Sequence, residues 1–122
     1  ASQVRFLGYV APRDLKALYR LARLLVVPRR FEGFGMPVVE AFDAGLPVAC
    51  STAPALPETA DGAALLFDLH DAGAAAATIR RAWTDEELRA QMVARGRRRA
   101  RQLSWEEVAR QYRELYRELA RR

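Results

Sequence analysis

The chain has one cysteine, one histidine and no apolar run longer than a strand, and each shortage closes off a class of explanation. Cys50 cannot make an intrachain disulfide and has no second thiol for a structural zinc site, so a disulfide-stapled secreted domain is excluded and a reducing, cytoplasmic setting is expected. Its neighbours Pro47, Val48 and Ala49 read as a buried strand, which makes the thiol an inert core group rather than a nucleophile. The longest apolar candidate, Leu24 to Pro28, falls far short of the roughly 18 residues that cross a bilayer. Ala1 to Tyr9 has neither a basic stretch followed by an apolar segment nor an initiator Met, so the chain is expected to begin partway through something longer. His70, the only imidazole, lies between Asp68 and Asp71 at a turn, where a loop or capping role is expected in place of acid–base work. No metal site and no cofactor are expected.

What is present describes one soluble globular domain. The 122 residues are 51% apolar, enough for a single core that buries about two thirds of the unfolded surface. The net charge of +5 is unevenly spread: residues 1–94 carry 10 basic and 11 acidic side chains, residues 95–122 carry 10 and 4. A basic C-terminal stretch suits a solvated helix face, an anionic membrane surface or nucleic acid. Around Arg95, Arg97, Arg98, Arg99 and Arg101 no aromatics interleave and no recognition motif is found, so nucleic acid is not the expected partner, whereas peripheral membrane contact is compatible with the charge.

Short β-favourable runs alternate with helical spacing. Val4 to Val10 predicts a strand, followed by a helix through Leu15, Leu18, Tyr19 and Ala22. Leu24 to Val27 predicts a second strand, a Gly-containing loop follows, and Pro37 to Ala44 predicts a helix closed by Gly45. Pro47 to Cys50 and Ala63 to Phe67 predict two more strands, with Ser51 to Gly62 a long loop between them. A helix over Ala72 to Trp83 opens after Asp68 and Asp71. Asp85, Glu86 and Glu87 start the next, which Gly96 is expected to bend. Ser104 and Glu107 form a capping box, and Trp105, Val108, Ala109, Tyr112, Leu115, Tyr116 and Leu119 then share one face of a final amphipathic helix. The alternation predicts an α/β fold: an open parallel sheet of about four strands with flanking helices.

In such sheets ligands bind at the carboxyl ends of the strands, and the loop after the second run, Pro28 to Pro37, is the most unusual piece of the chain. Gly33 and Gly35 beside a helix start allow a ligand close to the backbone, and the first free N–H groups of the helix favour an anion such as a diphosphate. Glu32 in the loop and Glu40 one turn past Pro37 are expected to converge on the mouth of that pocket, where carboxylates accept hydrogen bonds from sugar or ribose hydroxyls. The same residues are equally compatible with a tight turn whose two acids are solvated or paired with Arg29 and Arg30.

The run Phe31-Glu32-Gly33-Phe34-Gly35-Met36-Pro37-Val38-Val39-Glu40-Ala41 closely resembles the motif of two glutamates with seven residues between them of retaining GT-B glycosyltransferases of the family 4 (group 1) type. The likeness extends through Phe6 to Val10, Ala44 to Val48, Leu56-Pro57-Glu58 and Gly62 to Asp68, ending near Leu103-Ser104-Trp105. It implies that residues 1–122 are a single partial domain, the C-terminal part of a Rossmann-like donor-binding domain, with the N-terminal acceptor domain absent. It also implies a nucleotide-diphosphate sugar donor, UDP- or GDP-linked. Glu32 would then lie against the transferred sugar and stabilise its developing positive charge, with transfer by front-face attack and retention of configuration. Gly33, Phe34, Gly35, Met36 and Pro37 would cradle sugar and diphosphate, Val38 would lie near the nucleoside, and Glu40 would contact the ribose. Arg29 stands where the family has a small hydroxyl residue. The family's phosphate-gripping basic pair has no counterpart here, since Arg13 and Lys16 are expected to face solvent.

Alone, a chain of this kind is expected to bind donor weakly and to lack activity. Two alternatives are a self-associating binding module descended from such an enzyme and a basic-helix module for an anionic membrane or nucleic acid.

Overall fold

The computed structural model describes residues 3–122. Three apolar runs pair in parallel: β1 (Leu25–Val27), β2 (Val48–Ser51) and β3 (Leu65–Phe67), in the order β1-β2-β3. Leu25 pairs with Val48, and Ala49 in turn with Leu65, which fixes the register across the sheet. Parallel neighbours need a crossover, and two helices supply it. α2 (Met36–Asp43) joins β1 to β2 and α3 (Leu56–Ala60) joins β2 to β3. α1 (Pro12–Leu21) precedes the sheet, while α4 (Ala72–Thr84), α5 (Glu86–Gln102) and α6 (Trp105–Ala120) follow it.

Every residue of the central strand β2 is buried, as expected for a parallel strand covered on both faces. Around it Val38, Ala41 and Phe42 of α2, Leu56 and Ala60 of α3, and Ala100 of α5 form one core. Cys50 lies within it, and burial alone pushes its thiol up to about 11, so at neutral pH it is a packed, protonated group.

The sheet has three strands, not about four. Val4 to Val10 forms no ladder, and Phe6 within it is 97% exposed. A β-favourable run becomes a strand only when a neighbour accepts its N–H groups, and β1 pairs only with β2. The long loop expected over Ser51 to Gly62 contains α3, whose five residues are too few to show a helical period. Gly96 does not interrupt α5: the helix is continuous from Glu86 to Gln102, and a Cβ at Gly96 would stand 2.8 Å from the Phe42 ring, so the glycine serves the approach of α5 to α2.

Caps end the helices largely as their sequences suggest. Asp71 and Asp85 accept N–H bonds at 2.9 Å at the starts of α4 and α5. Ser104 accepts the Glu107 N–H at 3.3 Å, but the Glu107 carboxylate turns to Arg110 and Gln111 and does not close the box. Those hydrogen bonds, Arg110 first, pull Glu107 down to about 2. The basic stretch is also partly engaged. Arg99 donates to the Thr59 carbonyl at 2.8 Å and the Glu58 carbonyl at 3.0 Å, closing the C-terminal end of α3, and Arg97 lies over Gly45. The apolar stripe of α6 stays uncovered, with Trp105 84% exposed.

Candidate functional site

The loop after β1 turns into α2 through Gly35, which holds φ 93° and ψ 47° as the residue before the helix. That left-handed conformation strongly favours glycine, and a Cβ there would meet Leu56 Cδ2 at 2.8 Å. Thr59 fixes the same loop from the other side, its hydroxyl donating to the Phe34 carbonyl. The helix start is therefore pinned by α3, and Met36 and Pro37 form its first turn. Pro37 has no N–H and the Val38 and Val39 N–H groups are bonded to the Gly35 carbonyl, so this terminus leaves the Met36 N–H, with the positive end of the helix dipole, for an anion.

Glu32 sits at this start with its side chain only 17% exposed. Oε1 accepts the Gly33 N–H at 3.1 Å, and Oε2 lies 3.4 Å from Arg29 Nη1. The pairing with Arg29, which the sequence leaves open, is thus present. Gly33 is open on its Cβ side, Phe34 and Met36 are exposed, and Pro37 is half-buried, so these residues frame a surface that a ligand can reach. Val38 differs from its neighbours. It is fully buried in the core, and its N–H is bonded to the Gly35 carbonyl at 2.9 Å.

Glu40 lies one turn along α2 and opens on a different space. A cleft of about 380 Å³ between α1 and α2 is lined by Tyr9, Val10, Pro12, Leu15, Lys16, Tyr19, Arg20, Glu40, Asp43 and Ala44. Glu32 is not among them. The two carboxylates flank the first turns of α2, Glu32 before its start and Glu40 one turn in. The Tyr19 hydroxyl donates to Glu40 Oε2 at 3.1 Å. Burial first, then the bond to Glu40 and its charge, push the Tyr19 phenol up to about 12, so it remains a neutral donor.

The wall opposite Glu40 was not anticipated from the sequence. Pro12, Leu15, Lys16, Tyr19 and Arg20 follow one another at helical spacing, a face that reads as ordinary packing until α2 is set against it. Lys16 and Arg20 line this cleft, whereas Arg13 points into solvent with its side chain 94% exposed. Two cations therefore border the space that Glu40 faces.

A second cleft, about 290 Å³, lies at the carboxyl ends of all three strands between Arg29, Arg30, Ser51, Thr52 and Asp68 to His70. The Ser51 hydroxyl donates to the Arg29 carbonyl, tying β2 to the loop that carries Glu32. The His70 N–H donates to Asp68 Oδ1 at 2.8 Å, the local turn expected of it. Glu58 projects from α3, whose last carbonyls are already taken by Arg99.

The chain is 44% identical over 103 residues to the O-antigen chain mannosyltransferase B of Escherichia coli, covering 84% of this chain and 27% of that protein. It is 33% identical over 121 residues to a D-inositol 3-phosphate glycosyltransferase of Corynebacterium kroppenstedtii, covering 98% and 27%. Among solved structures, sucrose-phosphate synthase from Thermosynechococcus elongatus superposes with a TM-score of 0.83 at 34% identity, over 97% of this chain and 30% of the synthase. The chain thus spans little more than a quarter of the length of these relatives, and its three-stranded sheet with flanking helices is part of a GT-B fold. Residues 1–99 match the glycosyl transferases group 1 family, and the chain belongs to that family.

Proposed function

We propose that this chain is the donor-binding part of a retaining glycosyltransferase that uses a nucleotide-diphosphate sugar. The observation that carries the reading is the placement of Glu32 and Glu40 at either end of the first turns of α2, with a cleft of nucleoside size on the Glu40 side. The diphosphate would sit at the α2 N-terminus, held by the backbone of Gly35 and Met36. Glu40 would accept from the ribose, and the base would lie against Val10, Pro12 and Leu15. Glu32 would face the sugar. Its carboxylate would stabilise the positive charge that grows on the ring as the bond to the diphosphate breaks, while the departing diphosphate takes the acceptor's proton on the same face. Lys16 and Arg20 add positive potential beside the nucleotide but do not replace a dedicated phosphate grip, consistent with weak donor binding and no transfer by the chain alone.

Titration of the chain with UDP and GDP, followed by backbone amide NMR, tests this. Shifts are expected at α1 and the start of α2, and Glu40→Ala should weaken binding about tenfold, the scale of one hydrogen bond to a charged group. Shifts confined to the α5 arginines would sink the reading.

A second reading, that the chain associates with a further domain or another copy of itself, is favoured by the uncovered stripe of α6 and by the exposed Val4 to Val10 segment. Light scattering should then show association at high concentration that Tyr116→Glu abolishes, and a strict monomer would exclude the self-associating form. Placement in the cytoplasm, with peripheral contact to a membrane, rests on the lone thiol and the C-terminal charge, and no described helix is long and apolar enough to cross a membrane.

A further inference from the structure

We infer that Tyr19 is a positioning residue for Glu40, and that through it α1 makes the cleft selective for a ribose over a sugar lacking the 2′ and 3′ hydroxyls. The inference rests on the reading of Glu40 as the ribose contact and adds the device that orients it.

Glu40 is an exposed residue on a helix surface, and a glutamate there would ordinarily sample several rotamers. Here one oxygen is held. Tyr19 packs its ring against the core, so its hydroxyl is a fixed point, and that hydroxyl donates to Oε2 at 3.1 Å across the gap between α1 and α2. No other side chain is bonded to the Glu40 carboxylate among the described residues, which leaves Oε1 without a protein donor. The carboxylate is half satisfied and oriented in a cleft large enough for a nucleoside. Such an arrangement suits a ligand that brings its own hydroxyl donors, and it discriminates against one that lacks them, because that ligand would cover Oε1 and take away its water without offering a donor.

The phenol is suited to this task. Burial and the neighbouring carboxylate push its ionisation up to about 12, so it donates throughout the working range and never competes as an anion. Lys16 and Arg20 border the same cleft from α1, yet neither is bonded to Glu40, so the orientation falls to the tyrosine. A purely structural bond between α1 and α2 would affect stability but not the choice of ligand, and this distinguishes the two roles.

The test measures affinity of the chain for GDP and UDP and for their 2′,3′-dideoxy counterparts. The unsubstituted chain should prefer the ribonucleotide about tenfold, the scale of a hydrogen bond to a charged group, and Tyr19→Phe should reduce that preference to about threefold or less. Binding of the dideoxy nucleotide should change little, because the ring remains. If the unsubstituted chain shows no preference, or binds neither nucleotide, the ribose reading of Glu40 fails and the inference with it. If the preference exists and survives Tyr19→Phe intact, the inference alone is overturned. A measurement without substitution guards against a folding defect in the variant: the Tyr19 ring resonances should move with GDP and much less with dideoxy-GDP, and equal movement would overturn the inference.

Discussion

Glu32→Gln is expected to lower glycosyl transfer by about 10²- to 10³-fold while leaving UDP or GDP affinity unchanged, the range seen when one preorganised electrostatic contact to a transition state is removed. The substitution keeps the shape of the side chain and its contact with the Gly33 N–H, which reaches Oε1 at 3.1 Å. What it removes is the negative charge. In the ground state that charge faces Arg29 at 3.4 Å, an ion pair of modest worth because the Arg29 side chain is 56% exposed. In the proposed transition state it faces a ring that becomes positive as the diphosphate departs, and the low exposure of the Glu32 side chain strengthens that contact. The loss should therefore appear in kcat and not in nucleotide binding. Transfer is assayed in the longer enzyme that the proposed function implies, and nucleotide affinity on the chain itself. A variant that retained most of its activity would remove Glu32 from the mechanism. One that lost nucleotide affinity instead would mean that Glu32 and Glu40 share a single site.

Arg29 bears on the size of this effect. It stands where the resemblance leads one to expect a small hydroxyl, and it neutralises part of the charge that Glu32 would lend to the sugar. The Arg29 carbonyl accepts the Ser51 hydroxyl and its guanidinium pairs with Glu32 at 3.4 Å, beside the strand-end cleft that Arg29 helps to line.

How far this arrangement can be read from the residues varies along the chain for physical reasons. The turn at Gly35 is legible because a helix start after paired glycines and before proline has few other solutions, and the caps at Asp71, Asp85 and Ser104 are legible because they are local. Val4 to Val10 misleads because β-propensity describes a side-chain surface and says nothing about whether a partner strand is at hand. α3 starts two residues after Pro54 and carries Pro57 in its own first turn, in a segment too short for any period, and what holds it, Arg99 on its last carbonyls, comes from 40 residues further on. The Glu40 cleft is half legible. The acid itself stands in a recognisable motif, but Lys16, Tyr19 and Arg20 belong to an ordinary amphipathic face, and only the placement of α1 beside α2 makes them walls of a site. Side chains that act within one turn of their own position could be read; those that act across an interface between elements could not.

Gly96 is the clearest conflict between local preference and packing, and it yields a prediction in which the sign of one substitution depends on a distant residue. Phe42 is 1% exposed at the centre of the core, and Phe42→Ala should cost about 3–5 kcal/mol, a large part of the roughly 5–15 kcal/mol that stabilises a typical domain. Gly96→Ala in the unsubstituted chain sets two effects against each other. Alanine gains about 0.8–1 kcal/mol of helix propensity in the middle of α5. Its methyl group would also stand 2.8 Å from Phe42 Cδ1, and overpacking of this kind costs about 1–3 kcal/mol when the neighbour cannot move. The ring is enclosed on its other sides by the core, so overpacking should prevail and the single substitution should destabilise. In the Phe42→Ala background the obstructing ring is gone, the added methyl fills part of the space it leaves, and Gly96→Ala should stabilise by about 1 kcal/mol. Urea unfolding of the four proteins measures both steps. If Gly96→Ala destabilises equally in both backgrounds, the glycine answers to something other than Phe42; if it stabilises in both, the ring has room to yield and α2 and α5 are less tightly apposed than their packing indicates.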